Sequence, residues 1–174
     1  MSVALEQLLV DRAIERFLIL EAELLDRQDF LAWLSLLDDE VAYTMPTEAL
    51  SASGDKAPGD GIVHANTYMD ENKAALERRV RRLGLPTAWS EHPPTRTCRF
   101  VSNVRVAPEG VGLFRVASSL LVYRSRLDHD GRLIAAARLD QVRRVESDCG
   151  WRLRRREVRL LDTVIGMHNL SIIF

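Results

Sequence analysis

Apolar residues recur at three- and four-residue steps from the start of the chain: Leu5, Leu8, Leu9, Ala13, Phe17, Leu20, Leu24 and Leu25. This period predicts an amphipathic helix over about Ser2–Arg27, with those residues on one face and Glu6, Asp11, Arg12, Glu15 and Arg16 mostly elsewhere. Asp29 is placed to cap a short second helix, Phe30–Leu37. Asp38-Asp39-Glu40 ends that helix, and Val41–Met45 reads as a strand stopped by Pro46. Residues 47–61 are rich in Ser, Gly and Pro and read as a long surface loop. Ile62–Met69 reads as a short strand. Asp70 then caps a third helix, about Glu71–Leu83, with Leu76, Val80 and Leu83 on its apolar side and Gly84 at its stop.

An irregular connection with Pro86, Trp89, Pro93 and Pro94 follows, and beyond it the period changes to two. Cys98, Phe100, Ser102, Val104 and Val106 alternate with Arg99, Val101, Asn103 and Arg105. Turns at Pro108-Glu109-Gly110, Asp128–Gly131 and Ser147–Gly150 separate three further strands, about 111–127, 132–146 and 151–164. Four strands joined by tight turns form an antiparallel meander. In the last strand Trp151 and Leu153 share one parity while Val158 and Leu160 take the other. A β-bulge near Arg154–Glu157 reconciles them. Helices first and strands later predict an α+β fold, with the helices on one face of a curved sheet.

The chain has 174 residues, 47 % of them hydrophobic and 28 % charged, which suits a single domain over 1–174. No apolar run approaches a membrane span, and no basic region precedes an apolar stretch at the N-terminus, so neither a membrane anchor nor a signal peptide is expected. Cys98 and Cys149 are too few for a disulfide framework and read as buried thiols of a cytosolic protein.

The net charge of −1 hides an asymmetry: residues 1–77 carry 16 acidic and 5 basic side chains, and residues 78–174 carry 9 acidic and 19 basic. Of the 24 basic residues, 22 are Arg. Three readings are open. The halves neutralise each other, the arginines face a partner chain, or they bind nucleic acid; the overall balance argues against the last. The strand arginines read as a solvated face paired with Asp140, Glu146 and Glu157, or as anchors for a partner. Arg152, Arg154, Arg155, Arg156 and Arg159 are dense for one strand, so carboxylates from elsewhere, in this chain or another, must lie near them.

The chain carries no zinc spacing, no paired Cys/His motif for a Rieske cluster, no glycine-rich phosphate loop and no nucleophile elbow. His64, His92, His129 and His168 are scattered. His64, near Asp70 and Glu71, is the best acid–base candidate. Trp33, Tyr43 and Trp89 could line a pocket or fill a core. A stand-alone lyase or isomerase would use His64, Tyr43 or Asp38 in a pocket between the first helix and the concave sheet.

Trp89-Ser90-Glu91-His92-Pro93-Pro94-Thr95-Arg96-Thr97, Val101-Ser102-Asn103-Val104 and Val122-Tyr123-Arg124-Ser125-Arg126 resemble the small (β) subunit of aromatic-ring-hydroxylating dioxygenases. So do Arg138-Leu139-Asp140-Gln141-Val142-Arg143-Arg144, Gly150-Trp151-Arg152-Leu153, Leu160-Leu161-Asp162, Asn169-Leu170-Ser171 and the terminal Phe174. The N-terminal Phe17, Glu21-Ala22, Leu24-Leu25-Asp26, Trp33-Leu34 and Tyr43-x-Met45-Pro46 also fit. The match spans nearly the whole chain in order. It departs where the family often has Gly (Ala136 or Ala137) and Gln (Thr163).

The resemblance implies a cystatin-like, NTF2-like cone and a cytoplasmic bacterial complex of three α and three β chains, with β–β contacts. It implies no cofactor in this chain. The Rieske [2Fe–2S] cluster and mononuclear Fe(II) belong to the α chain, which a ferredoxin and a reductase supply with electrons. The assembled enzyme would form cis-dihydrodiols from aromatic compounds, with phenylpropionate, cinnamate, biphenyl or alkylbenzene types nearest. The β chain would be mainly structural. Trp89, Arg96, Tyr123, Arg124, Arg126 and Phe174 are the expected subunit-interface residues.

Overall fold

The computed structural model describes residues 3–46, 49–50, 62–63, 67–83, 95–126, 130–146, 149–161 and 172–174. The first helix, α1, spans Val3–Asp26. Its buried side is Ile14, Phe17, Leu18, Ala22 and Leu25, together with Glu21. Leu5, Leu8, Leu9 and Leu20 lie on the opposite side, exposed. The helix therefore carries two apolar stripes, and the three-and-four spacing counted from Leu5 follows the outer one for much of its length. At its end Gln28 takes φ 59° without being glycine. The backbone amide of Asp29 donates to Leu24 at 2.9 Å and that of Gln28 to Leu25 at 3.2 Å, closing the helix. The Asp29 carboxylate then accepts from the Ala32 amide at 3.2 Å and starts α2, Phe30–Ser35.

Strand β1 runs Leu37–Pro46 and begins earlier than its apolar pattern suggests. Asp38 and Asp39 belong to the strand because each has a cation: Arg143 for Asp38 and Lys73 for Asp39, both at 2.5 Å. The two-residue strands β2 (Ala49–Leu50) and β3 (Ile62–Val63) pair with each other. Strand β4, Thr67–Asn72, pairs antiparallel with β1, Thr44 facing Asp70. Asp70 is thus a strand residue. Asn72 is the cap of helix α3, Lys73–Leu83, its side-chain oxygen accepting from the Ala75 amide at 3.0 Å. Gly84, the connection to Pro94, and nearly all of the 47–61 loop lie outside the described residues, as do His64, His92, His129 and His168.

The meander is β5 (Arg96–Gly110), β6 (Leu113–Arg126), β7 (Asp130–Arg144) and β8 (Trp151–Leu160). Its first turn falls at Val111-Gly112, where Gly112 takes φ +66°, and not at Pro108–Gly110. The sheet order is β4-β1-β8-β7-β6-β5, with β1 and β8 parallel and the other neighbours antiparallel. Helix α1 lies along β5, and α3 against β1 and β4. The architecture is the expected α+β arrangement of helices on a curved sheet.

Two bulges set which side chains point inward. Gln141 pairs with Arg155 and Val142 with Leu153, so Arg154 is the extra residue. That is the bulge the parity of β8 demands, and it turns Trp151, Leu153, Arg156, Val158 and Leu160 all inward. The second lies in β5 between Ser102 and Arg105, where Asn103 takes φ 52°. It breaks the single face expected for 98–106. Val104 and Val106 pack on the core, whereas Cys98 and Phe100 point outward and are exposed. Cys98 is therefore not a buried thiol, and Cys149 is only half-buried.

Candidate functional site

Between α1 and the inner face of the sheet lies a charged cluster within an apolar core. Arg156 is fully buried. Its Nε donates to Asp140 Oδ1 at 2.9 Å and its Nη2 to Asp140 Oδ2 at 2.9 Å. Its Nη1 and Nη2 also donate to Glu21 Oε1 at 2.6 Å and Oε2 at 2.7 Å. Arg138 Nη1 approaches Glu21 Oε2 at 3.5 Å, and Arg138 Nε donates to Ser118 Oγ at 3.2 Å. Trp33 Nε1 donates to Glu21 Oε1 at 3.2 Å. Two carboxylates and two guanidinium groups thus compensate one another, the condition under which buried charge is tolerated.

The electrostatics follow from this geometry. Burial pushes the Glu21 carboxyl up, but Arg156 and Arg138 outweigh it and hold it below the ordinary range. Burial lowers Arg156, yet Asp140 and Glu21 reverse this and raise it well above its usual value. Burial and the neighbouring Arg156 lower Arg138.

The mouth of this interior is filled by the last three residues, Ile172, Ile173 and Phe174, all buried. The Tyr43 hydroxyl donates to the Phe174 carbonyl oxygen and accepts from the Phe174 amide at 3.0 Å. Arg156 Nη1 donates to the same carbonyl at 3.0 Å. Arg99 Nη2 donates to the Ile173 carbonyl at 2.6 Å while its Nη1 pairs with Asp26 of α1. Burial pushes the Tyr43 phenol up, which keeps it a neutral donor.

Two of the three residues singled out for acid–base work are engaged elsewhere. Tyr43 clasps the tail, Asp38 is held by Arg143, and His64 lies outside the described residues. Among the described residues no group of three or more His, Cys, Asp and Glu could hold a metal ion. An open cleft of about 290 Å³ lies beside α3, lined by Glu71, Ala75, Arg78, Arg79 and Arg82. Its most buried charges, Glu71 and Arg79, pair with each other. No helix among the described residues is long and apolar enough to cross a membrane.

The expected interface residues scatter. Phe174 is buried in its own chain and offers no surface to a neighbour in this conformation. Arg96 is exposed at the start of β5, and Arg124 is half-buried. Trp89 and the Arg126 side chain lie outside what is described. Tyr123 is exposed on the outer face of the sheet, across from Cys98 and Leu133, with its hydroxyl 2.9 Å from where a Cβ on Gly131 would stand. The next row pairs Phe100, Leu121 and Ala135. These two rows form an apolar patch on the convex face.

Sequence reading missed the cluster itself. Neither a solvated face paired with Asp140 nor a set of partner anchors describes these residues, because Asp140, Arg138 and Arg156 point inward. The density of arginine in β8 had called for outside carboxylates, and they come from this chain: Glu21 for Arg156 and Glu40 for Arg154.

A curved sheet whose concave side is closed by helices and by its own tail is the cystatin-like fold also found in NTF2-like proteins. One such protein, from Novosphingobium aromaticivorans, superposes with a TM-score of 0.59 at 21 % identity, over 93 % of this chain and 89 % of that one. Naphthalene 1,2-dioxygenase gives a TM-score of 0.81 at 28 % identity, over 92 % of this chain and 83 % of the other. The β subunit of benzoate 1,2-dioxygenase from Burkholderia mallei gives 0.70 at 19 %, over 92 % and 95 %. Residues 20–167 match the family model described as the ring hydroxylating beta subunit. The chain belongs to that family.

Proposed function

We propose that this chain is a non-catalytic assembly subunit of an aromatic-ring-hydroxylating dioxygenase, built as one domain. One observation carries the reading: the interior where an acid–base pocket would lie is filled by the chain's own Phe174, clasped by Tyr43 and Arg156. The chemistry then falls to a larger α chain that holds the Rieske cluster and the mononuclear iron. A ferredoxin and a reductase supply the electrons, and the reaction adds both atoms of O₂ to an aromatic ring. Phenylpropionate, cinnamate, biphenyl and alkylbenzene types are the substrate classes of this reading, and bacterial cytoplasm is the compartment. The convex rows Cys98–Tyr123–Leu133 and Phe100–Leu121–Ala135 are the face offered to a like chain in a complex of three α and three β chains. Arg96 and Arg159 lie at the rim of that face, and an apolar centre with a charged rim is the usual build of a subunit interface.

Metal analysis of the isolated chain and of the complex tests this reading. Iron is expected only with the larger chain. Stoichiometric iron in the isolated chain, or turnover of a small molecule by it alone, would contradict the proposal.

A further inference from the structure

Helix α1 leaves a second apolar surface uncovered, separate from the convex patch. At 100° per residue, Leu5, Leu8, Leu9, Arg12, Arg16, Ile19, Leu20 and Glu23 fall within one 120° stripe, and all are exposed. Leu8 is 62 % exposed and Leu9 53 %. The stripe runs roughly 22 Å from Leu5 to Leu20 at the rise of an α-helix. Five large aliphatic side chains in a line, on the side turned away from the core, form the anchor pattern of a helix that beds into an apolar groove.

The charges on the stripe say what can cover it. Arg12 and Arg16 sit at its middle. Arg12 is paired with Glu15 at 2.5 Å, on the flank. Antiparallel pairing with a second copy, in the register that overlaps the whole stripe from Leu5 to Glu23, sets Arg12 and Arg16 of one helix against Arg16 and Arg12 of the other. Parallel pairing sets each against itself. Either way four guanidinium groups meet at the centre of the contact, and like charges there disfavour it. The complementary occupant is a different chain, apolar along the groove and carrying a carboxylate opposite Arg16.

We propose that the outer stripe of α1 is the docking surface for the larger oxygenase chain; this rests on the reading above. The chain then has two apolar faces with different occupants: the convex sheet for a like chain, and α1 for the unlike one.

The test uses the full-length chain co-expressed with a tagged larger chain. L8E/L9E and R16E are exposed changes, so their melting temperatures should match the wild type. The expected result is at least a ten-fold loss of co-purified chain for L8E/L9E and a weaker loss for R16E. Hydroxyl-radical labelling of Leu5, Leu8 and Leu9 should fall in the complex and stay high in the isolated chain. Should L8E/L9E fail to fold, the labelling of the wild-type chain still decides. Wild-type association with unchanged labelling of the stripe would overturn this inference while leaving the assembly role intact. Concentration-dependent protection in the isolated chain would overturn it in favour of self-pairing. Failure of the wild-type chain to associate at all would instead strike the reading on which it rests.

Discussion

Arg156 faces Asp140 across β8 and β7, the two residues in register and joined by two contacts of 2.9 Å, with neither exposed to solvent. The pair is a fork-to-fork contact, the strongest geometry available to a guanidinium and a carboxylate. The same guanidinium also grips Glu21 of α1 and the Phe174 carbonyl, so one side chain ties a helix, two strands and the tail together.

Breaking that hub should be costly. Arg156→Leu leaves two buried carboxylates, Glu21 and Asp140, with Arg138 as the cluster's remaining counter-charge, and is expected to destabilise the chain by about 3–5 kcal/mol. Glu21→Gln leaves Arg138 and Arg156 short of a counter-charge and should also destabilise, by less, because Asp140 remains. Urea denaturation of the isolated chain reads both. A change under about 1 kcal/mol for Arg156→Leu would mean that the cluster is open to water.

Glu21 also sets an acid limit. Its folded-state pKa lies below the ordinary value of 4.5 because, against the cost of burial, Arg156 and Arg138 favour the ionised form. The stability it contributes is therefore complete above the unfolded value and is lost as pH falls through the lower, folded one. The urea midpoint should fall below about pH 4.5, and Glu21→Gln should flatten that limb. An acid limb unchanged in the variant would assign it to other carboxylates.

Tail seating can be weighed in the same way. Phe174→Ala empties a fully buried ring site and should cost about 3–5 kcal/mol. Tyr43→Phe removes the hydroxyl that both donates to and accepts from Phe174, leaving a buried amide unpaired, at about 1–3 kcal/mol. Their effects should not add, since both act on one contact. Thermal denaturation of the double variant measures the coupling.

The convex patch makes a different kind of prediction. Phe100→Glu and Leu133→Glu change exposed positions and should move the chain's own stability by less than about 0.5 kcal/mol. Assembly should nonetheless weaken, seen as a lower native mass at a fixed concentration. A complex unchanged in both variants would remove this face from the interface.

Much of this architecture was legible from residue order alone. The period-two stretch after Thr95 defines the meander, and the parity break between Leu153 and Val158 calls for a bulge within Arg154–Glu157, where the strand register has it at Arg154. Asp29 as a helix cap was equally local. What misled were residues whose role depends on a distant partner. Leu5, Leu8 and Leu9 fit a buried helical face as well as an exposed one, since spacing does not say which stripe meets the sheet. Asp38 and Asp39 looked like a helix terminus because their cations, Arg143 and Lys73, are far along the chain. Asp70 resembled a cap, but pairing with Thr44 drew it into a strand and left the task to Asn72. The buried cluster was invisible for the same reason. Arg156 is one arginine among five in β8 until the bulge at Arg154 turns it inward.

The central claim is that this chain serves assembly while catalysis sits elsewhere. Co-expression with the larger oxygenase chain, followed by native mass spectrometry and iron determination on each separated chain, tests it most directly. The account predicts equal numbers of the two chains, with all the iron on the larger one. A chain that stays alone, or that carries iron itself, would contradict it.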